Sequence, residues 1–207
     1  MKKNNCKICR RLGSKLFLKG EKCLSPKCSL LKKPYPPGVK KKKRFKALSD
    51  YGKELKEKQK LKNWYNLKEG QFRRYVKDIL ERRNKVEDAV ELLIQKLETR
   101  FDNVIFRLGL ASSRSQARQL VSHRHFLING KIVNIPSYHL KKGDKITIRP
   151  ASKKLLEKSA VSLKKYQPPV WLKINIQTLE GEVIGQPTFQ ESAPPAEIST
   201  IFEYYSR

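Results

Sequence analysis

RFDNVIFRLGLASSRSQARQLVSHRHFLINGKIVNIPS, residues Arg100 to Ser137, reads as two short helices followed by a β-hairpin. Phe101, Val104, Ile105 and Leu108 recur at i, i+3, i+4 and i+7, the spacing of one apolar helical face. Gly109 stands where a left-handed residue would end that helix. Ser113 and Gln116 have the spacing of a capping box for the next helix, in which Ala117, Leu120 and Val121 form the inward stripe. Arg114 and Arg118 lie one turn apart on its other side. Phe126 to Ile128, then Asn129-Gly130, then Lys131 to Val133 signals a hairpin, because a type I′ turn needs positive φ at both central residues. Arg114, Arg118, His123, Arg124, His125 and Lys131 thereby collect on a compact surface suited to phosphates. The competing reading is a small subdomain whose charges are merely solvated.

The charge of the whole chain weighs against that competitor. Lys and Arg number 47 against 19 Asp and Glu, a formal net charge of +28 over 207 residues. Such a chain repels itself unless a polyanion neutralises it. Phosphates do so with release of counterions, giving strong, salt-dependent binding. No segment approaches the roughly 20 apolar residues a membrane span requires. MKKNNCKICRR has basic residues without an apolar run behind them, so no secretory signal is expected. A polybasic protein bound at a membrane surface is a weaker alternative, and charge alone does not separate RNA from DNA. Charged residues make up 32% of the chain, against roughly 25% in average globular proteins. The length suggests one or two domains with modest cores, and basic segments that order fully against a partner.

The first thirty residues hold all four cysteines: Cys6-x2-Cys9, thirteen residues, then Cys23-x4-Cys28. Two close pairs separated by a loop suit tetrahedral Zn²⁺, whose thiolate ligands sit about 2.3 Å from the metal. Lys7, Arg10, Arg11, Lys22 and Lys27 favour the thiolate form and offset its charge. The alternatives are disulfides, which a reducing cytosol disfavours, unliganded thiols, a redox pair lacking its usual βαβ setting, or an iron–sulfur cluster.

PYPPGVKKKKRFK, from Pro34, is proline-rich and then cationic over Lys40 to Arg44. It reads as an extended arm for a phosphate backbone, or more blandly as a solvated linker. Tyr51 to Tyr65 predicts a basic helix whose only apolar positions are Leu55, Leu61, Trp64 and Tyr65, so one side awaits a filling other than protein. Asn66 to Glu69 reads as a helix start. Phe72, Tyr75, Val76, Ile79 and Leu80 make one core stripe, and Val86, Ala89, Val90, Leu93, Ile94 and Leu97 another. Ile146 to Ile148 predicts a strand and Ser152 to Lys165 a weaker basic helix. Val170, Leu172, Ile174 and Ile176 alternate as in a half-buried strand, and a second short strand follows. Ile198, Ile201, Phe202 and Tyr205 form a final helical stripe that must dock, with the helices of residues 50–97 as host.

With these residues in view the chain resembles the bacterial small-subunit ribosomal protein S-four family, essentially from end to end. The resemblance rests on LSDYGKELKEKQKLKNWYNLKEGQFRRY, RFDNVIFRLGLASSRSQARQLVSH, INGKIVNIPSY and the ending FEYYSR. The cysteine spacing is similar to that of the family's zinc-bearing branch; other members lack the quartet. This chain departs from its relatives at Pro37-Gly38-Val39-Lys40-Lys41, where Pro-Gly-Gln-His-Gly is common, and at Phe101, where leucine is usual. It also begins only five residues before Cys6, slightly shorter than relatives.

The resemblance implies an α+β, predominantly helical fold. It would comprise an N-terminal zinc-bearing helical domain (1–97), an inserted helix-hairpin RNA-binding module (98–163), and C-terminal strands and a helix (164–207) that return to the first domain. It implies a non-enzymatic, cytoplasmic constituent of the small ribosomal subunit, which binds rRNA early and nucleates assembly of the subunit body. Partners would be small-subunit rRNA, neighbouring ribosomal proteins at an interface linked to decoding accuracy, and mRNA where it enters the subunit; some relatives repress their own mRNA. No membrane or small-molecule substrate is expected. One Zn²⁺ is expected on Cys6, Cys9, Cys23 and Cys28. The candidate RNA contacts in the first domain are Arg10, Arg11, Lys15, Lys40, Lys41, Lys42, Lys43, Arg44, Lys53, Lys58, Lys60, Arg73 and Arg74. Those in the module are Arg100, Arg107, Arg114, Arg118, Gln119, Ser122, His123, Arg124, His125, Asn129 and Lys131.

Two rivals remain. The helix-hairpin module accompanies catalytic domains in some pseudouridine synthases and tyrosyl-tRNA synthetases, but no nucleophile–base constellation is evident. A zinc-dependent DNA-binding regulator would need a helix reading the major groove.

Overall fold

The computed structural model describes residues 5–38, 47–82, 86–153 and 166–206, and these divide into two units, Met1–Val90 with Pro194–Arg207, and Glu91–Ala193. Helices come first: α1 (Asn5–Leu12), α2 (Glu21–Leu24), α3 (Ser29–Lys32), α4 (Asp50–Trp64), α5 (Glu69–Arg82), α6 (Val86–Glu98), α7 (Phe101–Arg107) and α8 (Arg114–Ser122). Strands β1 (Phe126–Ile128), β2 (Lys131–Ile132) and β3 (Lys145–Ile148) follow, then β4 (Leu172–Asn175) and β5 (Glu180–Val183). Two helices, α9 (Phe189–Ser192) and α10 (Ile198–Ser206), end the chain. The expected arm over Lys40 to Arg44 and most of the expected helix over 152–165 lie outside the described residues.

In the first unit, Cys9, Leu12 and Leu16 form a small core against which Ile8, Leu18 and Trp64 pack. Ser49 caps α4, its Oγ accepting from the N–H of Gly52 at 3.3 Å. Only Leu61 of the apolar residues within α4 is fully buried, beside the buried polar side chains Glu54 and Lys58. The side expected to await a non-protein filling is covered by α10, whose Ile198, Ile201 and Phe202 are buried. Asn66 does not start α5. It has φ 54°, and Leu67 N–H returns to Lys62 O at 3.0 Å, so Asn66 ends α4 as a left-handed residue.

The second unit bears out the local reading of α7, α8 and the hairpin. Phe101, Val104, Ile105 and Leu108 are all fully buried. Gly109 has φ 77°, and Asn129 and Gly130 have φ 50° and 80°. Ser113 Oγ accepts from Gln116 N–H at 3.3 Å, while Gln116 Oε1 reaches back to Ser112 N at 2.9 Å, one residue earlier than a strict capping box.

The sheet is larger than a helix-hairpin module. Its order is β2-β1-β3-β5-β4, with every pair antiparallel. Phe126 and Ile128 pair with Ile148 and Ile146, and Ile146 pairs with Gly181. The strands expected to return to the first domain therefore complete this sheet, because β5 satisfies the free edge of β3. Only the segment from Pro194 belongs with the first unit. The fold is thus mixed helix and sheet, with a second unit of 91–193 where 98–163 was expected. Within β4 the expected alternation stands, with Leu172 buried and Ile174 part-buried against the core, but it does not extend past the strand: Trp171 is buried, whereas Val170 is 81% exposed and Ile176 is exposed. A Cβ on Gly181 would stand 2.5 Å from Leu108 Cδ1, so the glycine permits close approach of β5 to α7. Among the described residues no helix is long and apolar enough to cross a membrane.

Candidate nucleic-acid interface

The outward side of α8 and the turn after it carry Gln119, Ser122, His123 and Arg124, all exposed, with Arg118 about one-third exposed and Lys131 exposed on β2. His123 caps α8, and its N–H closes on Gln119 O at 3.0 Å. Arg124 then takes φ 61°, which lets the chain reverse into β1. His125 is part-buried, with Nδ1 2.8 Å from Ser152 Oγ. Arg149 joins this surface: it is exposed, and its N–H donates to His125 O at 2.9 Å. Sequence reading missed Arg149. Pairing β3 antiparallel to β1 sets Ile148 opposite Phe126 and so brings the next residue to His125.

Several cations expected to reach RNA are engaged inside the second unit instead. Arg100 is fully buried and grips Asp102 twice, Nη2–Oδ2 at 2.7 Å and Nε–Oδ1 at 3.1 Å. Arg114 is buried, donating from Nε to Asn103 Oδ1 at 2.8 Å with its guanidinium 4.5 Å from the centre of the Phe106 ring. Arg107 donates to both carboxylate oxygens of Glu98, at 2.7 and 2.9 Å, and to Ser192 O at 3.0 Å. Asn103 Nδ2 donates to the same Glu98 carboxylate at 2.6 Å. A planar guanidinium suits such sites because its fork matches a carboxylate and stacks on an aromatic face. Arg100, Arg107 and Arg114 therefore hold α7 and α8 in place. Asn129 is likewise structural, bonded to Asp144 Oδ1 at 2.8 Å and accepting from Lys145 N–H at 2.9 Å.

In the first unit Arg73 and Arg74 are exposed on α5, and Lys53 is exposed on α4 beside Asp50. Arg11 is exposed; Arg10 donates from Nε to the carbonyls of Lys33 and Tyr35, both at 3.0 Å. Lys15 lies over the Phe17 ring. Lys60 pairs with Glu57 within α4. Lys58 is buried against Glu69 and the Tyr204 ring, so it does not belong to an RNA-facing surface. Burial alone would raise the Glu69 pKa, but hydrogen bonds from Lys58 and Lys62 outweigh it and hold the carboxyl down at about 2.

All four cysteines are unpaired thiols, and all four line one cavity of about 10 Å³ together with Lys15 and Lys19. Burial pushes the Cys9 thiol up, and the charges of the other three cysteines add to the rise. Backbone N–H groups point at two of the sulfurs: Lys19 donates to Cys23 Sγ at 3.4 Å, and Leu16 donates to Cys9. The donor chemistry and the cavity suit one soft cation. Among the described residues, however, no group of three or more histidine, cysteine or acidic side chains stands in a ligating arrangement.

Comparison with known proteins matches two successive stretches of the chain to known families. Residues 1–98 match the family described as Ribosomal protein S4/S9 N-terminal domain, and residues 99–146 match the S4 domain. The chain is 46% identical to the small ribosomal subunit protein uS4 of Caldicellulosiruptor saccharolyticus, covering 98% of this chain and 97% of that one. It is 43% identical to the protein of that name from Halothermothrix orenii and 40% identical to that from Thermus thermophilus, in each case over 98% of this chain and 96% of the relative.

Proposed function

The chain belongs to the small ribosomal subunit protein uS4 family, and from that premise we infer that it is a structural constituent of the small ribosomal subunit that binds rRNA. The observation that carries the reading is the separation of cations by role. Arg100, Arg107 and Arg114 are spent inside the second unit, whereas Arg118, Arg124, Lys131 and Arg149 remain on its surface, and Arg73 and Arg74 on the first unit's. A chain of net charge +28 that keeps surface cations on two separate units suits RNA read by shape and phosphate.

Two cationic units joined in one chain gain affinity by raising each other's local concentration once one is bound. This favours an early binder that draws RNA helices together and nucleates the subunit body. Contacts with neighbouring ribosomal proteins, a place beside the path of entering mRNA, an influence on decoding accuracy and residence in the cytoplasm belong to the same proposal. The test is co-sedimentation with small subunits in salt high enough to strip nonspecific basic proteins. Retention supports the reading, and recovery as free protein overturns it.

We further propose that Cys6, Cys9, Cys23 and Cys28 hold one Zn²⁺, which would cross-link α1, α2 and the start of α3. Their shared cavity and the N–H groups aimed at Cys9 and Cys23 support this. Metal analysis of protein purified without added zinc decides it: one equivalent of zinc, reduced in Cys9→Ser, is expected. Zinc-free protein with four reactive thiols overturns it.

A further inference from the structure

The rings of His123 and His125 lie almost parallel, with planes 16° apart and centroids 6.1 Å apart. The backbone sets this arrangement. Arg124, between them, takes a left-handed conformation at φ 61°, and His125 N–H closes on Leu120 O at 3.3 Å as α8 ends. His125 is anchored through Nδ1 to Ser152 Oγ and through its carbonyl to Arg149 N–H. His123 is exposed at the helix end and carries the adjustable ring.

We propose that His123 and His125 form a stacking clamp for one unpaired nucleobase of RNA. The proposal rests on the reading that this face meets rRNA, and it adds a chemical identity for what the face takes. A base held between two parallel rings needs roughly 6.8 Å, twice the roughly 3.4 Å step between successive bases. The ring centroids stand within an ångström of that distance, and the exposed His123 ring is the one that can turn to admit the base. Unpaired bases splayed from loops and bulges are the parts of RNA that proteins read in this way, on aromatic side chains that include histidine. Arg124 and Arg149, both exposed, flank the rings and suit the phosphates on either side of the base. Burial, together with the nearby His123 and Arg149, pushes the His125 pKa below the usual histidine range. His125 is thus a neutral aromatic ring at ordinary pH, suited to stacking more than to pairing with a phosphate.

The test uses the full chain and a seven-nucleotide single-stranded RNA with 2-aminopurine at its centre. A second RNA has an abasic site there and keeps every phosphate. Binding is expected to quench the fluorescence of the first RNA, and the second should bind about tenfold more weakly, the range of a single base–aromatic stack. His123→Ala should lose the quench and about tenfold in affinity. His123→Phe should restore both, since phenylalanine stacks but offers no ring nitrogen, while His123→Asn should not. Equal affinity for the two RNAs, or a His123→Phe protein that behaves like His123→Ala, overturns the clamp in favour of hydrogen bonding to the backbone. A parallel titration with small-subunit rRNA separates the layers. Tight rRNA binding without quenching sinks the clamp alone. Quenching that depends on His123 upholds it even if rRNA binding is weak.

Discussion

Lys58 and Glu69 meet at 2.8 Å beneath the C-terminal helix, the lysine buried and the carboxylate half exposed. Around this pair gather further side chains from α4 and α10. Lys62 reaches the other carboxylate oxygen at 2.7 Å, Tyr205 donates its hydroxyl to Glu69 at 3.0 Å, and the Tyr204 ring centre lies 4.3 Å from the Lys58 ammonium. A buried ammonium needs such compensation, since desolvation costs several kcal/mol unless a partner and a polarisable face replace the lost water. The same cluster therefore ties α10 to α4 and α5.

Lys58→Met should loosen this end of the first unit. Removing one partner of a fully buried pair costs about 3–5 kcal/mol. Here Glu69 keeps Lys62 and solvent, so a loss of about 1–2 kcal/mol is expected, on the scale of a partly exposed charged hydrogen bond. Hydrogen exchange should show the amides of residues 201–206 protected less, with those of α8 unchanged. Uniform loss of protection along the chain would mean the cluster does not act locally.

The pH dependence has a definite direction. Glu69 is lowered from the usual 4.5 to about 2, so its charged form is favoured by folding. Its contribution is complete above pH 4.5 and is lost progressively as the pH falls toward 2, because the unfolded chain takes up the proton first. The melting temperature of wild type should exceed that of Glu69→Gln at pH 6, and the gap should close below pH 4. A gap of constant size down to pH 2 would assign the stabilisation to packing, not charge.

Much of this unit-by-unit architecture is legible in sequence where the causes are local. The Phe101–Leu108 stripe, Gly109, Ser113 and the Asn129-Gly130 turn each depend on neighbours within a few residues, and each stands as read. Asn66 has the sequence signature of a helix start yet ends α4, because asparagine suits both a helix cap and a left-handed terminator. The roles of Lys58 and Arg107 are illegible for a different reason. Tyr205 lies 136 residues from Glu69, and Ser192 lies 85 residues from Arg107, so composition offers no sign that these cations are engaged. The pairing of β3 with β5 is equally non-local, so the sequence pattern gives no sign that the last strands join this sheet.

Gly181→Ala tests the closeness of sheet and helix. The added methyl would meet Leu108 Cδ1 at 2.5 Å, and Leu108 is fully buried with little room to yield. Overpacking of this kind costs about 1–3 kcal/mol. Urea denaturation should show that loss. Combining the change with Leu108→Ala should cost less than the sum of the two single changes, because the cavity of one accepts the methyl of the other. Strict additivity would mean that the two residues do not contact each other.

The arginines of the second unit separate into two classes that experiment can tell apart. Arg118→Ala with Arg124→Ala removes charges from the surface, apart from a long contact of 3.9 Å between Arg118 and Asp102. Stability should change by less than about 0.5 kcal/mol, as for surface substitutions generally. The logarithmic slope of rRNA affinity against salt should flatten by about 1–2, since each phosphate no longer neutralised returns its counterions. Arg100→Ala should do the reverse. Asp102 would be left buried without its bidentate partner, a loss of about 3–5 kcal/mol. Whatever protein remains folded should keep the wild-type salt slope, because Arg100 is turned inward. Fluorescence titration of an rRNA fragment at several salt concentrations, alongside urea denaturation, reads both quantities. A flattened slope in folded Arg100→Ala would place that guanidinium on RNA in the complex and require the Arg100–Asp102 pair to open on binding.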